Sequence, residues 1–104
     1  MKYFMKYYPS DEEWESFIWY LDQKGNSLSQ NAITLYLALL WNKRGSNAKV
    51  EFIISDLELS RFTRMNWRKI AKARKELKEK GLIRYRDQKW HVFIYQIMPI
   101  TKEK

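Results

Sequence analysis

Cysteine is missing from this 104-residue chain, which excludes disulfides and any thiolate-based metal or catalytic site. Histidine occurs once, at His91, so no second imidazole exists to share a metal ion. The three glycines and two prolines are scattered and form no glycine-rich phosphate loop, low-complexity tract or interior linker. Long apolar runs are missing as well. The longest, LYLALLW at 35–41, falls far short of the ~20 residues that a membrane span needs. The N-terminal MKYFMKYYPSDEEW carries no apolar signal-peptide core. These gaps point to a cytoplasmic protein without a membrane partner. Asp22, Asp56 and Asp87 stand at predicted helix ends and turns, where aspartate has local capping work, and no nucleophile elbow is present. The expectation is a protein with no catalytic residue, no metal and no cofactor.

Aromatic rings are plentiful: they make up 16% of the chain, far more than a disordered chain of the same 31% charge has to bury. One domain with one modest core fits the length. The net charge of +8 is divided unevenly. Residues 1–60 hold six Lys or Arg and eight Asp or Glu, giving −2, whereas residues 61–104 hold fourteen and four, giving +10. Basicity confined to one part of a chain is the electrostatic footprint of a nucleic-acid or acidic partner.

Ser10 with Glu13 forms a capping-box pattern, and Trp14, Phe17, Ile18 and Leu21 recur at helical spacing; a helix is predicted over 11–24, ended by Gly25. Leu28, Ser29 and Ile33 hold the N′, N-cap and N4 places of a hydrophobic staple. The helix that follows, to about residue 42, carries Ile33, Leu35, Tyr36, Leu37, Leu39, Leu40 and Trp41 on much of its circumference and is expected to be central. KVEFII at 49–54 has the composition of a short strand. Ser55 with Glu58 is a second capping box, and Ile54 with Leu59 a staple, for a short helix ending near 61 or 62. Met65, Asn66 and Ile70 open the last helix, which runs to about residue 80 and stops at Gly81. LIRYR from Leu82 and KWHVFIYQI from Lys89 read as a closing hairpin turning at Asp87-Gln88. His91, beside Trp90 and Val92, reads as a strand-surface or packed residue.

The order helix, helix, strand, short helix, basic helix, hairpin is, after its first helix, that of a winged helix-turn-helix: an α+β fold with a three-helix core and a two-stranded wing, here with an extra N-terminal helix. Residues 1–26 form an aromatic segment and helix, 27–98 the winged domain and 99–104 a tail. On the basic helix, Ile70, Ala73 and Leu77 form the core stripe, whereas Arg68, Lys72, Lys75 and Glu79 face the other way at 100° per residue. Small Ala71 beside them lets a partner's backbone approach closely. Arg64 and Asn66 precede the helix, and Trp67 and Lys69 flank its outward face. Arg84, Arg86 and Lys89 surround the hairpin turn, from which phosphates or the minor groove are within reach. A second reading stands beside this one. Lys72 with Glu76 and Lys75 with Glu79 are i,i+4 pairs, and lysines near a helix C-terminus complement its dipole, so the helix also matches a plain solvated surface. Trp67 likewise reads either as a contact ring or as packing against Leu82 or the wing.

SLSQNAITLYLALLWNKRG followed by ISDLELSRFTRMNWRKIAKARKELKEKGLIRYR resembles the N-terminal winged-helix domains of phage replisome-organiser proteins and DnaD-type primosomal proteins, over about residues 27–87. KARKELKEKGLI, at 72–83, is the most specific part. The resemblance implies double-stranded DNA binding in replication initiation of a phage or plasmid-like element, the basic helix as recognition element, and a replication protein as a further partner. It also places glycine where Arg64 stands, so a positive φ there would be adopted at some cost. The other functional readings are a small winged-helix transcriptional repressor and a protein-interaction module using the same surface. Tyr3, Phe4, Tyr7, Tyr8, Trp19 and Tyr20 exceed what the first helix needs for its stripe; they serve either a homodimer contact or packing on the second helix and last strand.

Overall fold

The computed structural model describes residues 11–45 and 50–100. Its elements are α1 (Asp11–Asp22), α2 (Gln30–Gly45), β1 (Glu51–Ser55), α3 (Asp56–Thr63), α4 (Trp67–Glu79), β2 (Ile83–Asp87) and β3 (Val92–Ile97). The described residues thus form an α+β fold of four helices and one three-stranded antiparallel sheet of order β1-β3-β2. No helix among them is long and apolar enough to cross a membrane.

Local signals set the ends of the elements. Ser29 caps α2, its Oγ accepting from the Ala32 N–H at 3.1 Å. Ser55 and Glu58 form the reciprocal box that starts α3, and Asn66 starts α4 by accepting from the Lys69 N–H. Each cap satisfies a donor that would otherwise be stranded at a helix start. At the other end of α4, Gly81 takes φ 77°; its N–H donates to Lys78 and that of Leu82 to Leu77, at 2.9 and 3.0 Å. This is a Schellman stop, and it turns the chain directly into β2. The Ser10 cap expected for α1 lies outside the described residues.

Arg64 is left-handed, with φ 63° and ψ 20°, the positive φ that the resemblance raised for this position. Ser60 holds the turn from both sides, its carbonyl accepting from the Arg64 N–H and its Oγ donating to the Met65 carbonyl, each at 2.8 Å. Met65 is thereby pressed into the core.

The core lies between the helices and one sheet face. Ala32, Leu35, Tyr36 and Leu39 of α2 meet Ile70, Ala73 and Leu77 of α4, with Phe52, Ile54, Tyr95, Ile97 and Ile83 beneath. Burial of each large side chain contributes about 1.5–3 kcal/mol. Three expectations change here. The strand before α3 is not separate from the hairpin, because Phe52 registers with Tyr95 and Ile54 with Phe93, which widens the two-stranded wing to three strands. In α1 the buried residue is Phe17, stacked on Tyr36 at 4.0 Å, whereas Trp14 and Ile18 are 37% and 47% exposed. The helix is rolled so that Glu13 can reach Lys43, which brings Tyr20 inward. The hairpin turn, finally, is not Asp87-Gln88: the Gln88 N–H donates to the Val92 carbonyl at 2.8 Å, enclosing residues 89–91.

Candidate nucleic-acid interface

The wheel drawn on α4 holds in three dimensions. Ile70, Ala73 and Leu77 are buried, and Arg68, Lys72 and Lys75 are exposed on the opposite face, with Ala71 half-buried beside them. Arg64, Asn66, Trp67 and Lys69 are exposed around the helix start. None of these cations forms an ion pair with a described carboxylate. The i,i+4 pairs expected from spacing do not form. Glu76 turns instead to α2, accepting from the Ser29 N–H at 2.8 Å and from its Oγ at 2.7 Å. Those bonds, the side-chain one first, hold its carboxyl below the usual glutamate range, assisted by Lys80 and Lys72. A backbone donor at a helix start attracts a carboxylate more strongly than a mobile lysine does.

Trp67 is 59% exposed, with the Arg68 guanidinium 5.4 Å from its ring centre. It does not pack on Leu82, which follows the other end of the 13-residue helix, about 18 Å away at 1.5 Å per residue.

One cation of α4 belongs elsewhere. Arg74 is 5% exposed. Its guanidinium donates to Asp56 Oδ1 and to the Tyr95 hydroxyl, each at 2.8 Å, and to Asp56 Oδ2 at 3.4 Å. It also lies 3.9 Å from the Phe93 ring centre. Burial alone lowers the guanidinium pKa, but the bonds to Asp56 and Tyr95 outweigh it and leave the pKa raised. Asp56 was expected to do local capping; Ser55 caps α3, and Asp56 joins α3 to α4. The signal was present in the spacing, since Arg74 falls only 40° from Ile70 at 100° per residue.

On the hairpin, Ile83 and Tyr85 face the helices, so strand alternation turns Arg84 and Arg86 to the other side of the sheet. Arg86 there pairs with Glu51 at 3.3 Å. Arg84 and Arg86 therefore leave the sheet on the side away from the helices, along its β2 edge. A shallow groove lined by Lys78, Arg84, Arg86 and Glu51 follows β2.

Lys89 sits in the turn. Its N–H donates to Asp87 Oδ1 at 2.7 Å, and Lys89, Trp90 and His91 are all left-handed, with φ 84°, 58° and 60°. His91 is thus neither in a strand nor packed. Its carbonyl accepts from the Asp56 N–H at 2.8 Å, and its exposed ring lies 3.7 Å from Asp56 Oδ2.

Of the aromatic residues assigned to a homodimer contact, Tyr3, Phe4, Tyr7 and Tyr8 lie outside the described residues. Trp19 and Tyr20 are half-buried and line, with Lys80, Gly81, Leu82 and Pro99, a groove at the end of α4. Tyr20 packs against the core; burial first, then the Glu76 charge, raises its pKa. Its place three residues after Phe17 was the available signal for that inward turn. Comparison with family models, curated proteins and solved structures produced no match.

Proposed function

We propose that this chain is a winged helix-turn-helix protein that binds double-stranded DNA, with α4 as its recognition helix. The observation that carries this reading is the face formed by Arg68, Lys72 and Lys75, which is exposed and cationic and forms no ion pair with a described carboxylate. A helix with such a face, opened by Arg64, Asn66 and Lys69 at its N-terminal end, has the shape and charge that the major groove admits. The sheet order β1-β3-β2 behind it supports the winged arrangement. Following the resemblance, the setting we propose is replication initiation of a phage or plasmid-like element. Lys89 contacts phosphate from the hairpin tip, and Arg84 and Arg86 do so from the sheet edge.

The test is a salt titration of duplex binding, followed by fluorescence anisotropy, on the full chain and on Arg68→Glu/Lys72→Glu. Binding through several phosphates weakens steeply with salt, by about 0.9 log units per contact for each log unit of salt. The double variant should lose most of its affinity and melt at the same temperature, because both side chains lie away from the core. Undiminished affinity in the folded variant would remove α4 from the interface. Salt-insensitive association with another protein would favour the interaction-module reading.

A second reading, self-association through the N-terminal region, is favoured by Trp14 and Ile18, which α1 leaves exposed one turn apart. It keeps α4 free, and two linked half-sites give the specificity that one module seldom reaches. Sedimentation of the full chain and of Trp14→Glu/Ile18→Glu tests it: a dimer that the double substitution dissociates is expected.

A further inference from the structure

The hairpin tip carries a feature that phosphate contact by Lys89 does not use. Trp90 is 88% exposed, the most exposed large apolar side chain described. It sits at the middle of three consecutive left-handed residues, a conformation that side chains other than glycine adopt only when their surroundings over-determine it. Those surroundings are on hand. Asp87 Oδ1 accepts from the Lys89 N–H, the Lys89 carbonyl accepts from Val92, and the Asp56 N–H holds the His91 carbonyl. Asp56 is itself clamped by Arg74. The indole is therefore presented to solvent from a braced backbone. Moving along β2 also moves back along α4, since Tyr85 meets Lys78 and Phe93, the partner of Asp87, meets Arg74. The tip thus stands on the side of the cationic helix away from its C-terminal turn.

We propose that Trp90 stacks on a nucleobase when the protein binds DNA. This rests on the DNA-binding reading above. A single ring bordered by Lys89 and His91, with Arg84 and Arg86 on the same hairpin, matches a π face set between phosphates; an apolar protein surface instead asks for a contiguous apolar patch. The shared chemistry is the face of a base, supplied either by a step opened within the duplex or by a base already unpaired.

The experiment measures affinity of the full chain, Trp90→Ala, Trp90→Phe and Trp90→Gly for a fully paired duplex and for the same duplex with one unpaired base, each across a salt series. Trp90→Ala should bind roughly 5- to 150-fold more weakly with an unchanged salt slope, because no cation is removed, and Trp90→Phe should recover much of the loss. Trp90→Gly relaxes the left-handed backbone, so it folds at least as well as the parent and should show the same loss. A loss on the paired duplex identifies a wedge at a base step; a loss only with the unpaired base identifies stacking on that base. Equal binding by parent and both truncations on both DNAs overturns the stacking and leaves duplex binding standing. A salt slope that falls along with affinity would also overturn it, by showing that Trp90 only positions Lys89. Failure of the parent chain to bind either DNA overturns both readings.

Discussion

Replacing Arg74 by Met separates the one buried cation of α4 from those that face outward. Met keeps most of the aliphatic volume and the contact with the Phe93 ring, which the guanidinium approaches to 3.9 Å, but removes every donor. Asp56, 6% exposed, then loses the bonds at 2.8 and 3.4 Å and keeps the exposed His91 ring, 3.7 Å away, as a neighbour. Leaving one partner of a buried pair uncompensated costs about 3–5 kcal/mol, against a total of about 5–15 kcal/mol for a domain of this kind. The same substitution at exposed Arg68 should stay within about 0.5 kcal/mol. Equilibrium urea unfolding of both variants measures the difference. Adding Asp56→Asn to Arg74→Met should restore part of the loss, since the orphaned charge is gone, and the double-mutant cycle should return a coupling of about 1–3 kcal/mol. An Arg74→Met protein as stable as Arg68→Met, or additive single effects, would refute the claim that this pair ties α3 to α4.

Glu76→Gln should lower the melting temperature at neutral pH by weakening the tie to Ser29. Because folding depresses the Glu76 pKa, its contribution is present above the unfolded-state value and lost as pH falls through the folded one, so melts in acid should converge for the two proteins. Tyr95 behaves in the opposite sense. Burial raises its pKa from 10.0 to about 12, against the opposing pull of Arg74, so its stabilising effect is complete below pH 10 and is lost as pH rises towards about 12. Urea unfolding across that window should show a smaller alkaline loss in Tyr95→Phe than in the parent. On the hairpin, Lys89→Ala and Arg84→Ala should each make the salt dependence of duplex binding shallower by about one phosphate contact. Arg86→Ala should do so less, because Glu51 already partly neutralises that side chain.

Much of the architecture was legible in the sequence because it is specified locally. Ser29, Ser55, Asn66 and Gly81 satisfy backbone groups within a few residues of themselves, and the 3.6-residue period of Ile70, Ala73 and Leu77 needs no distant partner to assign a face. The left-handed turn at Arg64 was raised only by the glycine that the resemblance places there. What depended on residues far apart in the chain was decided only by the tertiary structure. Spacing offered Glu76 to Lys72, but a helix start brought in from residue 29 supplied better donors. Arg74 looked like one more basic side chain until Asp56 and Tyr95 surrounded it. Pairing of β1 with β3 joined residues 51–55 to the hairpin and made one three-stranded sheet. The Asp56 N–H, reaching His91 across the fold, helps brace the turn that exposes Trp90. Helix caps and periodic faces are short-range physics and can be read from order alone; ion-pair choice, sheet registry and strained turns follow from which groups the folded chain brings within hydrogen-bonding distance.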